Sequence, residues 1–252
     1  KVSYHPNHNA YNSLLVLLSI HHNYVGPAEK RSGLTIASRA KKFSTELNYV
    51  PPEIFPLPKI ITCSWRRKHM EVMFLLECSK QNVSTYEIQQ KFIQTQRQFP
   101  DYQFIYTDGS KESNRTSNAL FCNCSGYIVQ QTRLQNETSI YIAELHAVLK
   151  ALIMTEEKHW QKVVICTDSR SAVQSIQTKS PSSALLVEIF NIHETLSNED
   201  VHIIFLWIPG HSGIKGNSQA DKYAKDALAL NNITYIPTEY QSIKTSLRQK
   251  II

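Results

Sequence analysis

Two short apolar segments of this chain end in an aspartate in the same way. Residues 104–107 are followed by Asp108, and residues 163–167 are followed by Asp168. Each pattern predicts a strand that closes on an acid. In an α/β sheet, ligands gather beyond the carboxyl ends of the strands. If these two strands are neighbours, we expect the two carboxylates to lie side by side at that edge of the sheet.

Two further acids lie on predicted helices that can reach the same edge. Glu144 flanks the apolar stripe of one helix, and Asp221 lies near the start of another. Four converging carboxylates repel one another, which raises their pKa values unless cations bind. Hard oxygen ligands in this number suit Mg²⁺ or Mn²⁺. Two such ions about 4 Å apart can clamp the attacking and leaving oxygens of a phosphodiester. Each acid alone could equally be a helix cap or a surface charge, but two matching strand ends favour a site.

A loop near the end of the chain carries one more ionisable side chain. The apolar run 201–208 predicts a buried strand, which the following Pro-Gly dipeptide ends. Gly213 and Gly216 predict a mobile loop after it, and His211 lies within that loop. A loop histidine is more often simply solvated than catalytic. Its proximity to Asp221 along the chain nevertheless makes it a candidate member of the site.

The elements that must position these residues alternate between strand and helix from residue 102 onward. Strands are predicted at 104–107, 119–130, 131–138, 163–167 and 201–208, and helices at 140–156, 170–177, 183–197 and from about residue 219. This order predicts an α/β fold with a five-stranded sheet, part antiparallel and part parallel, and with helices on both faces. The continuously apolar segment 163–167 is typical of a strand that is covered on both faces.

The first hundred residues have a different pattern, which predicts a mainly helical extension. Helices are indicated at about 10–24 and 36–47, and four prolines within residues 51–58 predict a stiff, extended connector. Residues 59–82 give no firm prediction. The capping-box pattern Ser84-Thr-Tyr-Glu87 predicts a helix at about 85–98. We therefore expect a domain boundary close to residue 100.

The net charge of +6 is unevenly distributed along the chain. Residues 1–100 carry 13 Lys and Arg against 6 Asp and Glu, whereas residues 101–252 carry 14 against 15. A basic surplus attracts polyanions such as nucleic acid. On charge alone, a solvated basic surface is an equally good interpretation.

Composition also bears on the compartment in which the protein works. The five cysteines show no metal-ligand spacing, which predicts reduced thiols, an intracellular protein and no disulfide-linked partner. No signal peptide is visible, and no apolar run is long enough to span a membrane, so no membrane partner is expected. Because the first residue is Lys, we expect a piece of a longer product.

The motifs around the candidate acids together resemble those of a known family. They are Thr107–Ser110, Ala143–Leu145 with Ala147, Thr167–Ser169, and Trp207–His211 continuing through Gly216-Asn217 to Ala220-Asp221. In this order they resemble type 1 ribonuclease H, over about residues 102–230. The most similar form is the one fused to the reverse transcriptases of non-LTR retrotransposons.

The resemblance implies a ribonuclease H-like fold and an endoribonuclease. Members of the family cleave the RNA strand of RNA–DNA hybrids with two metal ions, usually Mg²⁺, and leave a 3′-hydroxyl and a 5′-phosphate. The metal-binding acids implied in this chain are Asp108, Glu144, Asp168 and Asp221. His211 would be the mobile histidine that helps to position water or release product. Positions beside the acids that can touch the hybrid backbone are Gly109, Ser110 and Ser169.

The resemblance also implies a division of the chain. Residues 1–100 are similar to the connector between polymerase and ribonuclease H, residues 101–230 to the ribonuclease H domain, and residues 231–252 to the tail that follows. The basic surplus of the connector leads us to expect that it supplies much of the affinity for a hybrid. A fragment, or a copy from a decayed element, is compatible with this organisation.

Two alternatives to an active ribonuclease H remain. The first is a catalytically weak or inactive module of the same fold that only binds nucleic acid, which loss of one acid would favour, although all four are present. The second is the same fold with another reaction, as in transposases or exonucleases. Those proteins lack the Pro-Gly-His-Ser-Gly loop that this chain contains.

Overall fold

The computed structural model describes residues 68–76, 83–124, 126–136, 138–178 and 183–236. The helices predicted at 10–24 and 36–47 and the connector at 51–58 lie outside these residues. The strands are β1 Glu71–Phe74, β2 Gln103–Glu112, β3 Arg115–Cys122, β4 Ile128–Leu134, β5 Lys162–Thr167, β6 His202–Trp207 and β7 Ile233–Thr234. The helices are α1 Thr85–Gln98, α2 Ile140–Glu157, α3 Arg170–Gln177, α4 Ala184–Asn198 and α5 Lys215–Asp226, with a short 3₁₀ helix at Ala227–Ala229.

The strands form one mixed sheet with the order β1-β6-β5-β2-β3-β4-β7. The pairs β2–β3 and β3–β4 are antiparallel, and the other four neighbouring pairs are parallel. The predicted mixed α/β sheet is therefore confirmed, but the predicted number of five strands is wrong. The two additional strands are β1 and β7, which lie at opposite edges and contain only four and two residues.

Helices cover both faces of the sheet, and the central strands are buried on both sides. Along β5, Val163 and Ile165 belong to one hydrophobic core, whereas Val164 and Cys166 belong to the other. The first core is formed with α2 and α4, and the second with α1 and the start of α5. This arrangement explains why residues 163–167 are continuously apolar rather than alternating.

Serine side chains start four of the helices. The hydroxyl groups of Ser84, Ser139, Ser169 and Ser183 accept hydrogen bonds from backbone amides in the first turns of α1, α2, α3 and α4. At α1 the capping box is complete, because the Glu87 carboxylate accepts a hydrogen bond from the Ser84 amide at 2.8 Å. These local signals account for the close agreement between the predicted and observed bounds of these helices.

The hairpin formed by β2 and β3 departs from the prediction. β2 does not end at Asp108 but continues to Glu112, since β3 pairs with it as far as Glu112 and Arg115. The predicted strands at 119–130 and 131–138 are correspondingly displaced to β3 and β4. The polar residues at the start of β3 are buried rather than part of a loop, because they lie beneath α5 and beside β2.

The last helix begins earlier than predicted. α5 starts at Lys215, so Gly216 is helical rather than part of a mobile loop, and Asp221 lies in the second turn. At this position the helix approaches the sheet closely, since a Cβ atom on Gly216 would overlap the Tyr106 ring. Glycine at this position therefore serves packing.

One expectation about the cysteines is wrong. Cys122 and Cys124 are joined by a disulfide bond across the turn that follows β3, with their Cα atoms 5.5 Å apart. Cys166 is a free, buried thiol in β5. The remaining two cysteines lie outside the described residues.

Residues on both sides of the expected ribonuclease H boundaries take part in this fold. Upstream, β1 pairs with β6, and α1 packs on the sheet through Ile88 and Phe92. Downstream, β7 pairs with β4, and Ile236 is buried in the first core. Among the described helices, none is long and apolar enough to cross a membrane.

Candidate active site

Two neighbouring parallel strands bring Asp108 and Asp168 together. In the β2–β5 pair, Thr107 lies opposite Thr167, so the next residue of each strand is one of the two aspartates. The Thr107 hydroxyl donates a hydrogen bond to the Cys166 carbonyl at 3.2 Å, which ties the two strands together just before the acids. Asp108 is buried and Asp168 is half-buried.

Glu144 reaches the same edge from the first turns of α2. The helix can approach because Gly109 has no side chain: a Cβ atom there would lie 3.1 Å from the Glu144 nitrogen and 3.2 Å from the Ala143 Cβ. Asp108, Glu144 and Asp168 each offer an oxygen, and these three oxygens lie within 4.8 Å of one another. Three of the four acids predicted from the sequence thus converge.

Burial and mutual repulsion disfavour the charged forms of these three acids. Burial raises the pKa of Asp108 to about 8, and the carboxylates of Asp168 and Asp221 add to the shift. Burial, with Asp108 and Asp168 nearby, also raises the pKa of Glu144 well above its ordinary value, although a hydrogen bond with the Gly109 backbone opposes this. The pKa of Asp168 is raised chiefly by burial. The three carboxylates therefore share a site in which a cation would relieve both the burial and the repulsion.

A divalent cation fits the donor set of the cluster. The Glu144 Oε2 atom is buried and has no hydrogen-bond partner among the described residues. A buried carboxylate oxygen without a partner is costly unless a donor or a metal ion satisfies it. Three hard oxygen donors at one point are the ligands that Mg²⁺ and Mn²⁺ prefer.

Asp221 lies beside the cluster but outside the three-oxygen group. Its side chain, 28% exposed, accepts a hydrogen bond from Lys225 one turn later on α5, with the two charged atoms 2.8 Å apart. Its charge still raises the pKa of Asp108 and Asp168. The i, i+4 spacing of Asp221 and Lys225 on a helix is the sequence signal that could have indicated this ion pair. The role of Asp221 as a metal ligand stays a prediction.

The loop between β6 and α5 passes directly over Asp168. A Cβ atom on Gly210 would lie 2.7 Å from the Asp168 Oδ2 atom. His211 is exposed at the tip of this loop with a φ of 51°, and it partly offsets the rise in the pKa of Asp168 that burial causes. The loop therefore places an accessible imidazole next to the acidic cluster.

Two residues that hold Asp168 were given no role by the sequence. Asn217, on the first turn of α5, donates a hydrogen bond from Nδ2 to the Asp168 Oδ2 atom at 3.2 Å. Trp207 donates from its indole nitrogen to the Asp168 carbonyl at 3.0 Å. Asn217 is buried and belongs to the motif that carries the family resemblance, which is the signal that could have identified it.

The three predicted backbone-contact positions occupy different environments. Gly109 packs against α2, as described above. Ser110 is half-buried in β2 opposite Ser117. Ser169 uses its hydroxyl to cap α3, accepting from the Ala172 amide at 3.4 Å, and its own amide donates to the Thr167 hydroxyl at 3.1 Å. Contact of these residues with nucleic acid stays a prediction.

Comparison with known proteins finds similarity to ribonuclease H and to retroviral Pol proteins. The family model described as RNase H matches residues 100–229. Ribonuclease H1 of Homo sapiens is 27% identical over 143 residues, which are 50% of each chain. The Pol polyprotein of Equine infectious anemia virus (isolate 1369) is 37% identical over 125 residues, 48% of this chain and 10% of the polyprotein. The chain thus spans about half the length, or less, of these relatives.

A solved structure is also similar in part. It is the N-terminal RNase H domain of Rv2228c from Mycobacterium tuberculosis, fused to maltose binding protein. The superposition covers 50% of this chain and 98% of the solved one, with 18% sequence identity and a TM-score of 0.42. The match to the RNase H family model, in contrast, spans just over half of the chain. This chain therefore belongs to the RNase H family.

Proposed function

We propose that this protein is an endoribonuclease that hydrolyses the RNA strand of RNA–DNA hybrids with the help of divalent metal ions. One observation carries the proposal: within a chain of the RNase H family, the oxygens of Asp108, Glu144 and Asp168 lie within 4.8 Å of one another. The raised pKa values of all three acids add support, because such shifts are common at catalytic sites.

The three acids are the residues that would hold the metal, with Asp221 as a fourth ligand once it is released from Lys225. Two metal ions, Mg²⁺ or Mn²⁺, match the chemistry expected for this set. When bound, such cations supply Lewis-acid stabilisation of the charge that develops on phosphodiester oxygens. Asn217 and Trp207 keep Asp168 oriented. Gly109 and Gly210 allow α2 and the His211 loop to approach the acids without a steric clash.

His211 is proposed to assist the reaction at the scissile phosphate from beside the acids that would hold the metal ions. It lies at an exposed position beside Asp168, where an imidazole can hold or pass on a proton near neutral pH. In this role it helps to position the attacking water or to release the cleaved strand. It does not belong to the proposed set of metal ligands.

The hybrid is proposed to contact the site edge and the basic first part of the chain. Gly109, Ser110 and Ser169 lie next to the acids and offer backbone or hydroxyl groups to phosphates. The surplus of positive charge in residues 1–100 would add sequence-independent affinity. The similarity of the motifs to non-LTR elements and the 37% identity to a Pol polyprotein support an origin in a retroelement polyprotein.

The decisive experiment is cleavage of a hybrid labelled on the RNA strand. We expect endonucleolytic products with 5′-phosphates in Mg²⁺ or Mn²⁺, no cleavage in EDTA, and no cleavage of RNA–RNA or DNA–DNA duplexes. Glu144→Gln should abolish cleavage. Glu157→Gln is the matched control, since Glu157 is an exposed acid on the same helix and should be dispensable.

Two other outcomes would contradict this proposal. Binding of the hybrid without metal-dependent cleavage would contradict the proposal and favour a non-catalytic module of the same fold. Cleavage that persists in Glu144→Gln would show that the acidic cluster is not the active site.

A further inference from the structure

Helix α1 lies outside the residues matched by the RNase H family model, which begin at residue 100. It is nevertheless anchored on the sheet. Ile88 is fully buried, and the ring of Phe92 contacts the rings of Phe104 and Tyr106, with centroids 6.1 Å apart in each case. The helix is therefore a fixed support next to the site rather than a loosely attached extension.

One side chain of α1 binds the loop that carries His211. The Gln89 Nε2 atom donates to the carbonyl of Gly213 at 3.1 Å and lies 3.5 Å from the carbonyl of Ser212. The loop is packed tightly against the helix at this point. A Cβ atom on Gly213 would overlap the Gln89 amide and would lie 3.4 Å from the Thr85 methyl group.

The loop has a conformation that benefits from such support. His211 and Gly213 have φ angles of 51° and 72°. Left-handed backbone is unfavourable for a residue with a side chain, so His211 holds this conformation only if its surroundings impose it. From within the loop, the buried Ser212 donates from its hydroxyl to the Pro209 carbonyl at 2.6 Å. From outside the loop, Gln89 holds the two carbonyls that follow His211.

We propose that Gln89 is a positioning residue for the His211 loop, so that α1 contributes to the reaction although it precedes the residues that match the RNase H family model. The kinetic part of this inference rests on the proposed function, whereas the structural part does not. Gln89 acts through the loop and does not itself touch the acidic cluster.

The first test measures hydrogen exchange of the loop amides in the chain of residues 1–252. Gln89→Met keeps the length of the side chain and removes the donor, and Gln89→Ala is a second variant with the same expectation. Loss of one hydrogen bond should speed exchange at residues 211–214 by about threefold to tenfold. Exchange in β5 should not change. Gln94→Met is the matched control, because Gln94 is an exposed glutamine on the same helix.

The second test is a double-mutant cycle on hybrid cleavage. Gln89→Met should lower kcat and leave KM for the hybrid unchanged. In a His211→Ala background it should have no further effect, because both substitutions disable the same loop. A substitution that merely weakens the fold would lower activity in both backgrounds.

Two results would overturn the inference. One is unchanged exchange at residues 211–214 in both Gln89 variants. The other is an equal loss of kcat with and without His211. If the wild-type protein does not cleave hybrids, the proposed function fails, and the exchange experiment still decides whether Gln89 holds the loop.

Discussion

Replacing Asp108 with asparagine should raise the stability of the metal-free protein while it abolishes cleavage. Asparagine keeps the shape of the side chain and removes its charge. Burial and the neighbouring carboxylates raise the pKa of Asp108 to about 8, whereas an aspartate in an unfolded chain titrates near 3.9. Between these two pH values the folded protein holds a proton that the unfolded chain has released. The stability that protonated Asp108 contributes is therefore fully present below about pH 4. It is lost as the pH rises toward 8.

The size of this stability difference follows from the pKa shift of Asp108. Each pH unit between the two pKa values removes about 1.4 kcal/mol from the free energy of unfolding. From pH 4 to pH 7 the loss is on the order of 4 kcal/mol, which is a large part of the stability of an ordinary domain. Because asparagine carries no charge in either state, the variant escapes this loss. At pH 4 and below, both proteins should be equally stable.

The assay is urea unfolding in EDTA at pH 4, 5.5 and 7, followed by titration with Mg²⁺ at pH 7. We expect the stability advantage of Asp108→Asn to grow with pH. We also expect Mg²⁺ to stabilise the wild-type protein, because a cation binds the folded cluster and relieves its repulsion. Asp101→Asn is the control, since Asp101 is exposed and its removal should change stability by no more than about 0.5 kcal/mol.

Two outcomes would refute this reasoning. If Asp108→Asn is no more stable than the wild-type protein at pH 7 in EDTA, the burial and repulsion attributed to Asp108 are wrong. If the variant hydrolyses hybrids at the normal rate, Asp108 does not hold a catalytic metal ion.

Three further predictions concern the surroundings of the acids. His211→Ala should slow turnover on a hybrid by about a hundredfold or more if the imidazole transfers a proton, yet leave Mg²⁺ affinity, measured by calorimetry, unchanged; equal turnover would remove His211 from the mechanism. Gly216→Ala should destabilise the protein by about 1 to 3 kcal/mol in urea unfolding, because the new methyl group overlaps the buried Tyr106 ring; a neutral result would show that α5 can move away. A chain of residues 100–236 should be less stable than one of residues 68–236, because loss of β1 and α1 uncovers an apolar face and each lost core side chain contributes about 1.5 to 3 kcal/mol; equal urea midpoints would mean that β1 and α1 are dispensable for folding.

The sequence alone determined the identity of most elements between residues 84 and 230. Strand β5 is readable because a continuously apolar segment suits a sheet that is covered on both faces. Helices α1 and α3 are readable because their caps, Ser84 and Ser169, act within three residues along the chain. The meeting of Asp108 and Asp168 also follows from the sequence if their strands are neighbours, because each acid comes directly after a threonine that ends an apolar strand segment. All of these signals are local, or become local once the two strands are neighbours.

Only the tertiary structure decided the remaining features, since each depends on a partner far away along the chain. β1 and β7 are too short to show a periodicity, and they exist as strands because β6 and β4 offer them an edge. α5 begins at Lys215, and the glycine at the next position is needed because the helix lies on the Tyr106 ring, a contact that no local pattern records. Asp221 lies outside the group formed by Asp108, Glu144 and Asp168, which are far from it along the chain. Each of these outcomes is set by distances between side chains in space. Those distances cannot be read from the spacing of residues along the sequence.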